Sequence, residues 1–332
     1  MQRRAYYSVF LWSLVIVIGI AAGMYMFSGL TNRHSVGWQE EDETTSGKLY
    51  TVQTADGATL FQTAWPVQDG DRFFSAQNIW YQLDREETNG CVATAIPVSA
   101  PENFQPVSLP ARSGQKINQP LAVKSGLVGP DGEERDTHVI IYHTHSDESY
   151  GYGTNIVSKP GAGDVYEVGE RLSQDLRTLG ASVTHSYAAH DPHDASAYER
   201  SRKTLLSLLP EQPDLVIDLH RDSAPVDAYV TTINGQLTAR VMLVVGAANP
   251  TMDTNLQYAY AFKETADAIY PDLVRGIYIG KGSYNQDIYP SAMLMEFGTD
   301  GMSRDTAEKS AACVSDILQT YLTEVLPYLP QR

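Results

Sequence analysis

Residues 137–150 read THVIIYHTHSDESY, and the fold of the whole chain turns on how that stretch is taken. Val139, Ile140, Ile141 and Tyr142 form a short run of β-branched and aromatic residues, the length and composition of a buried strand. The run stops in a cluster of metal-capable side chains, His143, His145, Asp147 and Glu148. Open α/β sheets place their chemistry at the carboxyl ends of strands. The stretch therefore predicts an edge at which other strands also deliver reactive groups.

Outward from it, the pattern after Asp136 alternates strands with helices. Helical spacing is predicted over about Asp164–Leu179, Tyr198–Leu209, Asn255–Ile269 and Thr306–Leu326. Strands are predicted at Ser182–Ser186, Asp214–Leu219, Arg240–Val245, Gly276–Ile279 and Ala292–Phe297. Such alternation implies an α/β domain over 136–332, a mainly parallel sheet with helices on both faces. Upstream, 46–100 breaks into short apolar runs and turns, a small and possibly β-rich region, and 101–135 is a Pro/Ser/Gly-rich spacer.

The chain begins differently. Arg3 and Arg4 precede an uncharged apolar run, Ala5–Leu30, long enough to span a bilayer as a helix. Acidic residues Glu40–Glu43 follow the run within a linker, 31–45, so the charge asymmetry puts the N-terminus in the cytoplasm and the body outside it. Length and the lack of a clear A-x-A site favour an uncleaved single-pass anchor over a signal peptide. With 24 Lys+Arg against 40 Asp+Glu, a net −16, the composition argues against nucleic acid as a partner. Cys91 and Cys313 are too far apart to pair from sequence and read as free, buried thiols.

Three predicted strands end in reactive side chains. The first leads to His143, His145 and Glu148; DLVIDL leads to His220, Arg221 and Asp222; AMLMEF carries Glu296. Two histidines, a carboxylate and a spare glutamate make a hydrolytic zinc site, with the spare as general base. A carboxylate inside an apolar strand is costly unless it pairs or works, which singles out Glu296. His143 reads as support that orients a ligand. Arg221, Asp222, Asn285 and Asp287 read as groups that support the metal ligands or grip substrate. His185, His190 and His193 fall around a polar loop and read as surface groups, with His190–Asp191 a candidate substrate loop.

IYHTHSDESY, DLHRDS and RGIY…YNQDIYPSAMLMEFGT, in that order, resemble the stage II sporulation protein P family over about Thr137–Glu324. That family is similar in fold to zinc-dependent N-acetylmuramoyl-L-alanine amidases. The resemblance implies peptidoglycan as substrate, with endopeptidase activity on cross-links as well. It also implies a lytic transglycosylase and a membrane protein as partners in engulfment. By the resemblance His145 and His220 are zinc ligands and Glu296 is the catalytic glutamate. Those amidases take a third ligand, a Glu, from the start of the helix after the first strand. Here that place reads GAGD, so Glu148 is the substitute, with Asp164 and Glu167 as alternatives. The rival expectation is a non-catalytic wall-binding scaffold on the same fold.

Overall fold

The computed structural model describes residues 48–85, 91–102, 104, 106, 127–128, 132 and 134–329. The apolar run Ala5–Leu30 and its linker lie outside them, as does most of 101–135. Among the described residues no helix is long and apolar enough to cross a membrane.

The core strand is β8 (His138–Tyr142), with β9 (Ser182–His185) parallel on one side and β10 (Leu215–Asp222) parallel on the other. The chain leaves β8 through helix α1 (Val165–Thr178) to reach β9, then returns through α2 (Ala197–Leu208) to β10. Alternate residues of these strands explain how both helices find a face. Val139, Ile141, Ile217 and Leu219 pack with α1 residues such as Val168 and Leu172, whereas Ile140, Tyr142 and Val216 pack with Leu205 of α2. The winding thus reverses between β8 and β10, and a crevice at their carboxyl ends is where such sheets hold ligands.

Beyond β10 the sheet continues through β15 (Ala292–Thr299), β13 (Val241–Gly246) and β14 (Val274–Gly280). Within 136–332 four of this sheet's five described strand pairings are parallel, as expected, and one is not. β13 runs antiparallel to β15, and β14 runs parallel to β13 across helix α3 (Met252–Ile269). The direction changes because β10 is linked to β13 by a hairpin, β11 (Val230–Ile233) and β12 (Gln236–Ala239), which the sequence reading did not identify; no crossover helix intervenes.

Residues 46–100, set apart by the sequence as a region of their own, supply β1 (Tyr50–Thr54), β2 (Thr59–Thr63), β3 (Arg72–Ser75), β4 (Trp80–Arg85) and β5 (Val92–Pro97). These extend the same sheet, because β3 pairs antiparallel with β14. The described sheet has eleven strands in the order β2-β1-β5-β4-β3-β14-β13-β15-β10-β8-β9. A further pair, β6 (Leu127–Val128) and β7 (Glu134–Arg135), precedes β8.

Helix α4 (Arg304–Thr320) starts at Ser303, whose hydroxyl accepts the Thr306 backbone N–H, and packs beside α1 and α3. It is shorter than the expected Thr306–Leu326. The last stretch becomes a π turn over Tyr321–Val325 and a 3-10 turn over Leu326–Tyr328, where Pro327 offers no N–H to an α ladder. Cys91 and Cys313 are half-buried and form no disulfide among the described residues.

Candidate metal centre and active site

Strand register does most of the assembly. His220 on β10 lies opposite Glu296 on β15, and parallel neighbours at one level share a face. Asp218, two residues earlier on β10, lies on that face too and contacts His220 Nε2 at 2.9 Å. Thr144, just past β8, donates both its N–H and its hydroxyl to the Asp218 carboxylate, at 2.8 and 2.6 Å. The carboxylate thereby ties the end of β8 to β10 and holds the His220 ring.

The turn after β8 then folds inward. His145 Nδ1 lies 3.1 Å from Glu148 Oε1, and His220 Nδ1 lies 3.4 Å from the same oxygen. The second Glu148 oxygen accepts the Arg221 backbone N–H at 2.9 Å. All three side chains are buried. Asp164 and Glu167 stand elsewhere. Asp164 accepts Lys159 Nζ and the Tyr150 N–H, and Glu167 is half exposed toward Arg304. Glu148 is therefore the carboxylate that meets the two histidines.

Glu296 completes the face from the next strand. Its Oε1 accepts the indole N–H of Trp65 at 2.9 Å, while Oε2 is buried with no hydrogen-bond partner among the described residues. Trp65 arrives from the segment after β2, which is pinned by Asp222. That carboxylate accepts the Thr63 hydroxyl, the Ala64 and Ser223 N–H groups and the Tyr229 hydroxyl. A bulge in β15 makes the final turn of the edge. His220 pairs with Glu296 but Asp222 pairs with Thr299, and Gly298 absorbs the extra residue at φ +78. A Cβ at Gly298 would meet that of Ala239 at 2.9 Å.

The electrostatics follow from burial and from the crowding of carboxylates. Burial drives Glu296 up to about 8; Glu148 and Asp222 add to the rise, against His220 and the Trp65 hydrogen bond. Burial also works against ionised Glu148, but the charge of His220 and the hydrogen bonds from both histidines outweigh it, so the group lies well below its ordinary range. For His220 burial is likewise overcome, by Asp218 and Glu148, and the imidazole is raised well above its usual value. Two buried carboxylates, Glu148 and Asp218, contact buried His220, and Glu148 also meets buried His145. A divalent cation fits this donor set. It matches the imidazole and carboxylate chemistry of zinc, and beside it the buried Glu296 Oε2 has no partner among the described residues.

Sequence reasoning misplaced several neighbours. His193, read as a surface group, is largely buried. Its ring lies 3.8 Å from that of His145, and its Nδ1 is 2.9 Å from Asp147 Oδ1. His145, Glu148 and His193 present ligand atoms that all lie within 4.8 Å of one another. His190 is also buried, bonded to the His143 carbonyl at 2.7 Å and to Thr204 at 2.9 Å.

His185 is buried against His143, with Nε2 atoms 2.8 Å apart. His143 therefore does not turn its ring to His145. Its Nδ1 meets the Leu219 carbonyl at 2.9 Å, on the side of α1. Arg221 is spent on the 148–157 turn, donating to the carbonyls of Ser149 and Val157. Asn285 and Asp287 grip α2 instead of open space. Asn285 donates to the Tyr198 carbonyl and Ser201, and Asp287 forms a two-pronged pair with Arg202 at 2.8 Å.

Trp65 and Asp218 went unrecognised. Trp65 gave no signal beyond the rule that a buried indole N–H needs an acceptor. Asp218, a carboxylate within DLVIDL, carried the same anomaly as Glu296.

Among known proteins, the family model described as Stage II sporulation protein P (SpoIIP) matches residues 84–319. The stage II sporulation protein P of Bacillus subtilis (strain 168) is 30% identical over 199 residues, covering 54% of this chain and 49% of that protein. The chain thus matches about half the length of that curated relative. Two solved structures are similar at a low level. The CwlD amidase of Clostridioides difficile, in complex with the GerS lipoprotein, is 10% identical with a TM-score of 0.40, over 56% of this chain and 98% of that one. The N-acetylmuramyl-L-alanine amidase Ami1 of Mycobacterium smegmatis is 14% identical with a TM-score of 0.38, over 61% and 99%. Likeness at that level decides neither fold nor activity, which rest on the sheet and its side chains.

Proposed function

The chain belongs to the stage II sporulation protein P family, and on that premise we propose that it is a zinc-dependent peptidoglycan hydrolase acting in sporulation. The bond cut is the amide between N-acetylmuramic acid and L-alanine, and cross-link cleavage would use the same groups. Ala5–Leu30 anchors it in the cell membrane, with a cytoplasmic N-terminus and an extracytoplasmic body. Its partners are a lytic transglycosylase and a membrane protein of the engulfment machinery.

The observation that carries this reading is Glu296, a fully buried carboxylate level with His220, with one oxygen held by Trp65 and the other without a partner among the described residues. His145, Glu148 and His220 are the groups that would hold zinc. When bound, the ion supplies a Lewis acid and brings the pKa of a water near neutral. Glu296 takes the water's proton on its unpartnered oxygen and returns it to the leaving amide nitrogen. Trp65 aims that carboxylate, and Asp222 holds the segment bearing Trp65. Asp218 keeps the His220 ring turned to the site.

The test is the release of N-terminal L-alanine amines from purified peptidoglycan by the full chain. Release should stop on chelation and return with zinc. Release indifferent to chelation would contradict the reading.

A further inference from the structure

The candidate centre holds one more metal-capable side chain than three-ligand catalysis needs. His193 comes from the loop between β9 and α2, and its Nε2 is buried without a hydrogen-bond partner among the described residues. Its other nitrogen lies 2.9 Å from Asp147 Oδ1. Asp147 is itself held, because its second oxygen accepts the Ser158 hydroxyl and its carbonyl accepts the Lys159 N–H. An imidazole with a carboxylate on one nitrogen and the other nitrogen bare is how metal-ligating histidines are oriented. His220 on β10 likewise has a carboxylate, Asp218, on Nε2, and it turns Nδ1 toward Glu148, 3.4 Å away.

Placement agrees with chemistry. The His193 ring stacks on His145, and His145, Glu148 and His193 offer atoms within 4.8 Å of one another. Nor is the loop a loose one. Arg200 donates to the carbonyls of His190 and Pro192 and to Asp194, and His190 is fastened at both ring nitrogens. A surface histidine would need none of this.

We propose that His193 is a fourth protein ligand of the metal, delivered by this anchored loop to join His145, Glu148 and His220. The inference rests on the proposed metal site and adds a consequence to it. Zinc sites with four protein ligands are closed, whereas catalytic ones keep a position open. Water then enters only by expansion to five ligands or by release of His193, so this loop sets how readily the centre works.

The experiment compares the full chain with its His193→Ala, His193→Gln and His220→Ala variants. Zinc affinity is measured by competition with a chromophoric chelator, and the visible spectrum of the cobalt(II) derivative is recorded with and without azide. Wild-type protein should bind one ion with a spectrum that azide leaves alone. Both His193 variants should bind at least about 10-fold more weakly, with spectra that respond to azide. Circular dichroism identifies variants that keep the fold, and a folded variant of either kind decides the question. Affinity within twofold of wild type together with an unchanged cobalt spectrum would overturn the role of His193 alone. Failure of the wild-type chain to bind metal at all would overturn the site beneath it as well.

Discussion

Two groups of histidines leave the end of β8 in opposite directions, and they differ in how completely they are satisfied. On the α1 side, His143 meets the Leu219 carbonyl and His185, and His185 passes on to Glu170, which also accepts the Tyr187 hydroxyl. Every ring nitrogen in that chain ends on a partner. On the α2 side, His145, His193 and His220 surround Glu148, and buried atoms of His193 and Glu296 are left over. Buried polar atoms without partners are rare because each costs about 1–3 kcal/mol. The first group is a finished piece of structure, and the second is built for something to be added.

The largest effect expected from this contrast is on metal binding. His220→Ala removes a ring that both Asp218 and Glu148 hold, and should abolish stoichiometric zinc in metal analysis of the purified chain. His185→Asn, in the satisfied group, should leave zinc content unchanged. Equal zinc in wild type and His220→Ala would dissolve the distinction.

Stability should show the reverse pattern. A Cβ at Gly169 of α1 would lie 2.7 Å from His185 Nε2 and 2.9 Å from the His143 ring. Those rings are buried and mutually bonded, with little room to give. Gly169→Ala should lower unfolding free energy by about 1–3 kcal/mol in urea titrations while the zinc stoichiometry holds. Unchanged stability would mean that the pair is looser than its geometry.

Acid gives an effect of similar size. His143 is pushed down to about 3, by burial first and then by the neighbouring His185, and burial lowers His185 against the pull of Glu170. A histidine depressed in the fold stabilises fully above its unfolded pKa of about 6.5, and that contribution is lost as pH falls below it. Metal-free protein should therefore lose on the order of 1–3 kcal/mol between pH 7.5 and pH 4, and less in His185→Asn. The same loss in both proteins would place the acid sensitivity elsewhere.

The two groups were not equally legible in the sequence. His145, His220 and Glu296 stood out because apolar strands with one direction must deliver their ends to one edge, a rule that needs no long-range knowledge. Glu148 followed from its spacing to His145. His193 sits in HDPHD, a polar stretch whose burial depends on how Arg200 folds the loop back, and no local pattern encodes that. Trp65 lies 231 residues from the carboxylate it serves, across strands whose pairing with β14 the sequence does not announce. Antiparallel β13 escaped for a related reason: periodicity reports burial, not direction. Arg221, Asn285 and Asp287 read as gripping groups because polar side chains near a site look alike until their partners are known. Here those partners are backbone carbonyls and α2.

The central claim is that the unfinished group is a hydrolytic centre with Glu296 as its proton carrier. Mass spectrometry of purified peptidoglycan digested by the zinc-loaded full chain, wild type against Glu296→Gln, tests it most directly. Wild type should release stem peptides with free L-alanine amines. Glu296→Gln, with zinc retained, should release them about 10²–10⁴-fold more slowly. Equal release by the two proteins, or no cleaved muropeptide from wild type, would contradict it.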